Sequence, residues 1–363
     1  MSGIETIKSL GAGSLMRRRW QDAVVHQSNV GLKSRMLAQL ATNVANTSQQ
    51  FVQVAVVSVG AFLVRDGQLG FGAIIACTIL SGRAIAPIAQ ITQLLTRMNQ
   101  TMVSYRALSN LMHQEREHEH GKVYMARPNF QGSIEFKDVT FTYPGASKPS
   151  LDKVSFSIAP GEKVAIVGKV GSGKTTLSKL ILGLYKPDSG TVLMDGVDVR
   201  QIDPADLRRE LGVVLQDVWL IGGTIKQNIA LGGNHPTDEE ILRAAQISGV
   251  DEFVKQHPEG YGLRLGERGE GLSGGQRQAI AVARALLGKP KILLFDEATS
   301  AMDSGSETAL LQRLSKEISD CTFVTITHKA SLLQIVKKII VIDQGRVAMQ
   351  GTPEQLMRAQ QAA

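Results

Sequence analysis

Eight consecutive residues, Gly168 to Thr175, restrict what this chain can fold into more than any other part of its sequence. They read GKVGSGKT and fit the pattern G-x-x-x-x-G-K-[ST]. The apolar run Val164 to Val167 precedes them, and apolar residues at helical spacing follow from Leu177 to Leu184. A strand, a glycine-rich loop and a helix in this order cradle phosphate groups, because backbone N–H groups point inward at the helix N-terminus.

This phosphate cradle gives each of its members a predicted task. Lys174 is expected to reach the β- and γ-phosphates of ATP, and the hydroxyl of Thr175 is suited to bind magnesium. The residues expected to surround the phosphates are Gly168, Gly171, Ser172, Gly173 and Thr176.

Three more compact apolar runs follow, at Ile292 to Phe295, Phe323 to Thr327 and Ile339 to Ile342. Short runs of this kind, separated by helical stretches, predict strands that are buried on both faces of a parallel sheet. The C-terminal part of the chain is therefore predicted to be an α/β P-loop NTPase domain.

Two carboxylates, Asp296 and Glu297, stand where the strand from Ile292 ends. Open α/β sheets bind their ligands at this edge. Asp296 is expected to hold magnesium through water, whereas Glu297 is placed to orient and polarise the water that attacks the γ-phosphate. A buried acidic pair without a function is disfavoured, because removing carboxylates from water is costly.

A second anion site is predicted at Ser273, Gly274, Gly275 and Gln276, which precede the helical stretch 277–287. Small residues at a helix N-terminus leave free N–H groups that bind anions. Because one ATP does not need two cradles for its γ-phosphate, we expect this segment to act on ATP held by a second copy. The result is a symmetric homodimer with two ATP molecules at its interface.

The N-terminal third differs sharply in composition. No charged residue lies between Met36 and Val64, and only Arg83 is charged between Gln68 and Thr96, so each stretch can span the roughly 30 Å of a bilayer core as a helix. The first 35 residues hold six Lys or Arg against two acids, and Arg97 and Arg106 follow the second stretch, so both ends are expected in the cytoplasm. No cleaved secretory signal is expected, because the N-terminus lacks the basic segment and the apolar segment of such a signal. The alternative is a pair of amphipathic helices in a soluble bundle. One side of the first stretch is rich in amides and should face protein or water: Gln39, Asn43, Asn46, Gln49, Gln50, Gln53.

Composition excludes several other classes of protein. The net charge of +7 is spread out and only 5% of residues are aromatic, so nucleic-acid binding is not predicted. Cys77 and Cys321 match no disulfide or zinc spacing and are interpreted as reduced thiols. His118 and His120 lie in a polar stretch, and a solvated surface is favoured there over a metal site.

From about Ile134 to Thr352, these motifs resemble the nucleotide-binding domain of an ABC transporter, for which Leu-Ser-Gly-Gly-Gln is very specific. The resemblance implies roles for four more residues. Tyr143 in Phe-Thr-Tyr-Pro corresponds to the aromatic residue that stacks on adenine, and Gln216 in Val-Leu-Gln-Asp to the glutamine that contacts magnesium and senses the membrane domain. Asp303 in Ser-Ala-Met-Asp corresponds to the D-loop aspartate, and His328 in Thr-Ile-Thr-His to the switch histidine at the γ-phosphate.

Softer similarities indicate the type of transporter. Gly266 to Gly269 resembles a loop of exporters that contacts the helices between membrane spans, and the segments 81–87 and 300–307 look most like the permease/ATPase of bacterial type I secretion systems. This resemblance implies a bacterial inner-membrane, multi-pass protein with a cytoplasmic nucleotide-binding domain. It also implies a polypeptide cargo, a periplasmic adaptor and an outer-membrane channel.

The resemblance also predicts the domain organisation. Residues 1–110 would be a partial, all-α transmembrane domain with spans 36–64 and 68–96, residues 111–133 a linker, and residues 134–363 the nucleotide-binding domain. Exporters of this kind have six spans and these two correspond to the fifth and sixth, so we expect the C-terminal part of a longer exporter or a truncated reading frame. Two other functions stay open, a lipid or drug exporter and a nucleotide-binding remnant without transport. The mid-span Arg83 either faces the pathway, snorkels or pairs with another helix.

Overall fold

The computed structural model describes residues 4–114, 116–118, 121–125 and 130–355 of the chain. The chain divides into two compact units, Met1–Glu115 and Arg116–Ala363. The first is helical and the second is an α/β domain, so the predicted fold class is confirmed.

The described residues of the helical unit form three helices: α1 Ile4–Ser9, α2 Gly13–Arg65 and α3 Phe71–Met112. The long helices α2 and α3 run well beyond the predicted spans, because polar helical turns continue each apolar stretch at its outer end. They form a hairpin in which Gly60 permits close packing, since a Cβ there would lie 2.9 Å from Cγ1 of Ile74. Small residues allow such close approach between apolar helices.

Among the described residues, one helical segment is long and apolar enough to cross a membrane, Thr42–Arg65. Its apolar window is only 6% buried. The second predicted span is helical from Phe71 onward, but its apolar part, Phe71–Ala84, is shorter. The structure therefore does not confirm two complete spans. Arg83 is exposed, and the helix continues through Pro87.

The α/β unit contains twelve strands and eight α-helices among its described residues. In chain order they are β1 Ile134–Phe141, β2 Leu151–Ile158, β3 Lys163–Val167, α4 Lys174–Ile181, β4 Ser189–Met194, β5 Val197–Asp198, α5 Pro204–Arg209, β6 Leu211–Val214, β7 Gly223–Thr224, α6 Ile225–Ala230, α7 Asp238–Ser248, α8 Val250–Val254, β8 Arg264–Leu265, α9 Gly274–Leu287, β9 Ile292–Asp296, α10 Ser304–Glu317, β10 Thr322–Ile326, α11 Ala330–Leu333, β11 Lys338–Asp343 and β12 Arg346–Gly351.

The central sheet has the strand order β12-β11-β3-β10-β9-β6. Its strands are parallel except for β12, which pairs antiparallel with β11. The four predicted strands are confirmed as β3, β9, β10 and β11, and every residue of β9 and β10 is buried. The loops after β3, β9 and β10 consequently meet at one edge of the sheet.

A second sheet, β2-β1-β4-β5, is antiparallel and packs its apolar side over helix α4 and one face of the central sheet. Phe136 and Phe156 stack within this core, with ring centroids 4.6 Å apart. A separate core on the other face of the central sheet is built largely from α7, α9 and α10. The loop after β3 and the start of α4 are thereby supported by two packed layers.

Candidate functional site

The loop between β3 and α4 depends on two glycines for its shape. Gly173 has a φ of +101°, and a Cβ there would lie 2.6 Å from the carbonyl oxygen of Ser150. A Cβ at Gly168 would lie 2.1 Å from the carbonyl oxygen of Ile342. Neither space admits a larger residue, so the loop turns tightly between β11 and the start of β2 and presents its N–H groups at the N-terminus of α4.

Lys174 is held inside this loop. Its Nζ donates to the carbonyl oxygens of Gly168 at 2.8 Å and Lys169 at 2.7 Å, and the residue is 7% exposed. Burial lowers the pKa of the ammonium, while the nearby carboxylates of Glu297 and Asp296 oppose that change. The lysine is therefore positioned over the site by its own loop.

Asp296 lies at the end of β9, beneath the loop. Ser178 Oγ, one turn into α4, donates to its Oδ2 at 3.1 Å. Burial raises the pKa of this carboxyl, against hydrogen bonds from Ser178 and Thr175 that act to lower it. Asp296 Oδ1 and Ser172 Oγ are buried and lack a hydrogen-bond partner among the described residues. Buried polar atoms without partners are uncommon in folded proteins, and here both belong to predicted site residues.

Glu297 adopts a left-handed backbone conformation, with a φ of +51°. A non-glycine residue in this region is strained, and such strain concentrates at functional sites. Gln216 Nε2 donates to Glu297 Oε2 at 3.1 Å, and His328 Nε2 lies 3.5 Å from Glu297 Oε1. The structure thus brings two predicted residues, from two different loops, to the carboxylate of Glu297 in a third loop.

Helix α9 begins directly after Ser273, three residues before the predicted helical stretch 277–287, so Gly274, Gly275 and Gln276 form its first turn. Ser273 Oγ accepts from the backbone N–H of Gln276 at 3.2 Å, and Gln276 Oε1 accepts from the N–H of Ser273 at 2.9 Å. This reciprocal capping fixes the N-terminus of the helix. Gly274 and Gly275 lie against Ala301 and Met302, and Ser273 itself is exposed.

Tyr143 and Asp303 occupy defined positions near these elements. The hydroxyl of Tyr143 lies 3.2 Å from Thr176 Oγ1, and its ring packs edge-on against Tyr185. Asp303 caps α10, where hydrogen bonds from Ser306 hold the pKa of its carboxyl below the ordinary value. Tyr143 thus adjoins the phosphate loop, whereas Asp303 lies with Ser273, Gly275 and Gln276 along one groove.

Several residues at the site carry no motif of their own. Gln278 is buried on α9 and donates to the carbonyl oxygen of Glu297 at 3.3 Å, while its Oε1 accepts from the N–H of Ala301 at 2.9 Å. It joins the capped helix to the strained backbone of Glu297. Its only sequence signal is a polar residue on an apolar helix face. Ser178 gives the same weak signal on α4.

Both cysteines and His118 lie outside the site. Cys77 and Cys321 are both free thiols, and burial raises the pKa of Cys321 to about 11. His118 Nε2 lies 3.4 Å from Asp203 Oδ1. No three His, Cys, Asp or Glu side chains form a metal-binding cluster within the described part of the chain, and His120 lies outside it.

Comparisons with known proteins find matches to both parts of the chain. The model of the ABC transporter family matches residues 151–300, and that of the ABC transporter transmembrane region matches residues 1–87. The chain is 39% identical over 357 residues to the toxin RTX-I translocation ATP-binding protein of Actinobacillus pleuropneumoniae. It is 38% identical over 357 residues to the alpha-hemolysin translocation ATP-binding protein HlyB of Escherichia coli.

These matches cover nearly all of this chain but only part of each protein that it resembles. Each of the two relatives is matched over 98% of this chain but only 50% of its own length, so the chain spans about half of either. The solved structure of a bacterial Atm1-family exporter with ATP bound superimposes with a TM-score of 0.89 at 30% identity. That match covers 99% of this chain and 64% of the solved chain.

Proposed function

Because the chain belongs to the ABC transporter family, and within it to the exporters that join a membrane region to their ATPase, we propose that it couples ATP hydrolysis to export across the bacterial inner membrane. The observation that carries this proposal is the arrangement around Glu297. Gln216, His328 and the phosphate loop all converge there from separate loops of one sheet edge.

ATP binding rests on the loop between β3 and α4. The N–H groups from Gly171 to Thr176 would surround the phosphates, and Lys174 would exchange its two carbonyl partners for phosphate oxygens. Tyr143, partly buried beside Thr176, would stack on the adenine ring. Ser172 Oγ, which has no hydrogen-bond partner within the described part of the chain, lies beside Gly168 and would gain a phosphate oxygen as its acceptor.

Magnesium fits the residues at this site. The buried Asp296 Oδ1 has no hydrogen-bond partner among the described residues, and Thr175 and Gln216 supply further oxygen atoms. Magnesium in phosphate sites is bound through one or two carboxylates together with substrate phosphates. When bound, it would neutralise charge that develops on the β- and γ-phosphates.

Hydrolysis is assigned to Glu297. Its carboxylate would orient a water molecule and accept a proton from it as the water oxygen bonds to the γ-phosphorus. The bond from that phosphorus to the bridging oxygen breaks at the same stage, and ADP leaves. Gln216 and His328 hold the carboxylate on opposite oxygens, and the exposed His328 would contact the γ-phosphate.

The exposed N-terminus of α9 supports a homodimer. Ser273, Gly274, Gly275 and Gln276 present a capped helix N-terminus away from the interior, together with Asp303. Anions bind favourably at such a terminus. In the proposed dimer this segment binds the γ-phosphate of ATP held in the partner's loop, so both sites are completed in trans.

The proposed cargo is a polypeptide, which the names of the toxin-translocating relatives support. A periplasmic adaptor and an outer-membrane channel are the proposed partners in its export. To test this, the chain would be placed in lipid nanodiscs and its ATPase rate measured with and without a polypeptide that carries a C-terminal secretion signal. Stimulation by the polypeptide, and not by its scrambled form, is expected. Stimulation by lipids or drugs alone would instead favour the other type of exporter.

A further inference from the structure

A buried polar cluster lies beside the site and takes no part in the proposed chemistry. Its centre is the carboxylate of Glu307 on α10, which is 5% exposed. Thr299 Oγ1 donates to Glu307 Oε1 at 2.9 Å, Ser331 Oγ donates to the same oxygen at 2.8 Å, and Lys329 Nζ donates to Oε2 at 2.8 Å. Lys329 Nζ also donates to the carbonyl oxygen of Thr299 at 2.7 Å.

The members of this cluster are neighbours of the catalytic pair along the chain. Thr299 follows Glu297 by two residues, and Lys329 directly follows His328. Glu297 and His328 come after the adjacent parallel strands β9 and β10. Glu307 therefore contacts both loops, through Thr299 and Lys329. These contacts lie close to the point where His328 Nε2 and Glu297 Oε1 are 3.5 Å apart.

The charges in the cluster are well satisfied. Burial alone would raise the pKa of Glu307, but the hydrogen bonds from Lys329, Ser331 and Thr299 more than offset it and hold the pKa below its ordinary value. Glu307 is thus a fixed anion that accepts from both loops. Fully satisfied buried networks of this kind rigidify the segments they join.

We infer that Glu307 is a positioning residue, which acts with Lys329 to set the separation between Glu297 and His328. The inference rests on the proposed ATPase function. Glu307 acts through the two loops and not by contact with the carboxylate of Glu297 or the imidazole of His328. Its loss would let the loop after β9 and the loop after β10 move independently, and a displacement of about 1 Å at a catalytic group can cost on the order of 100-fold in rate.

The test compares Glu307→Gln with a matched variant, Glu317→Gln, on the same helix. Glu317 pairs with Arg243 on α7, away from the site. We expect Glu307→Gln to lower kcat at least about tenfold, with an unchanged Kd for a fluorescent ATP analogue. Glu317→Gln should keep the kcat of the original chain. An equal kcat in both variants and the original chain would overturn the inference.

A second pair of variants keeps the test decisive if Glu307→Gln does not fold. Lys329→Arg retains a cation beside Glu307, whereas Lys329→Met removes it. We expect Lys329→Arg to keep most of the rate and Lys329→Met to lose it, with ATP binding intact in both. If Lys329→Met lowers only the melting temperature and leaves kcat unchanged, the cluster is structural and the inference fails.

The outcomes also separate this inference from the proposed function. A chain that hydrolyses ATP, loses turnover in Glu297→Gln and keeps it in Glu307→Gln and Lys329→Met would retain the proposed function and refute the positioning role. A purified, folded chain without any ATPase activity would refute the proposed function itself.

Discussion

Glu297, the proposed catalytic base, has a strained backbone conformation. A non-glycine residue at a φ of +51° costs roughly 1–3 kcal/mol of conformational strain. The hydrogen bond from the N–H of Glu297 to the carbonyl oxygen of Ile326, at 2.9 Å, maintains this conformation against the strain. The carboxylate is thereby directed between Gln216 and His328 and away from the buried interior.

Replacing Glu297 by Gln tests its assignment as the base. Gln can keep a hydrogen bond to Gln216 but cannot accept a proton from water. We expect kcat to fall about 10²-fold or more, since general bases contribute at least that much, while ATP binding persists. The measurement is steady-state ATPase activity beside equilibrium binding of ATP. Turnover equal to that of the original chain would remove Glu297 from the mechanism.

Gly173 offers a test of the phosphate loop. In Gly173→Ala the new Cβ would meet the carbonyl oxygen of Ser150 at 2.6 Å, so the loop must shift and ATP binding should be lost. Gly196→Ala is the matched control, because Gly196 has a φ of +79° and no atom within 4 Å of a Cβ. Calorimetry with ATP should show binding to the control alone, and binding to both variants would contradict the proposed cradle.

Prediction from sequence works at the residue scale where a motif and its neighbours agree. Lys174 and Asp296 follow from the pattern and the strand before each of them. The role inferred for Glu307 does not, because its partner Lys329 lies 22 positions away along the chain and only the fold brings the two together. The sequence pattern of helix α10 does not indicate that the carboxylate of Glu307 is buried.

In helix α9, one residue has two roles: Ser273 caps the helix and is also proposed to bind the γ-phosphate of ATP held by the partner copy. Three helices of the described α/β unit, α6, α7 and α9, begin with a reciprocal capping arrangement. Only the one at Ser273 is proposed to bind phosphate. Asp is as good an N-cap as Ser, but its charge repels an incoming phosphate.

Ser273→Asp should therefore keep the stability of the fold and abolish ATP turnover. The control is Thr237→Asp, which places the same charge at the capped N-terminus of α7. Thermal unfolding and ATPase rates would be measured for both variants. Full activity in Ser273→Asp would contradict the proposed role of α9, and loss of stability without the same loss in Thr237→Asp would point to a packing defect.

Elements are predictable here where burial gives a clear pattern. Strands β3, β9, β10 and β11 are short, apolar runs, and their residues are buried between two layers. The lengths of α2 and α3 exceed the prediction, because charged and polar turns continue a helix without any change in periodicity. The antiparallel sheet β2-β1-β4-β5 could not be located from the sequence. Buried and exposed residues alternate irregularly along β1, which shifts register against both of its neighbours.

In the molecule as a whole, the proposed ATP sites require two copies of the chain. Within one copy, Ser273 lies against the segment 301–303, while the phosphate loop lies with Asp296 and Glu297. Each proposed ATP site consequently combines the loop of one copy with α9 of the other.

Mixing two inactive variants, Lys174→Ala and Ser273→Asp, tests whether each ATP site is shared between two copies of the chain. Each variant alone should form dimers in which both sites are defective. A mixed dimer has one intact site, formed by the loop of the Ser273→Asp copy and α9 of the Lys174→Ala copy, so an equal mixture of variants should recover about a quarter of the original ATPase rate if the sites act independently. A mixture that shows no more activity than the separate variants would contradict a site shared between two copies.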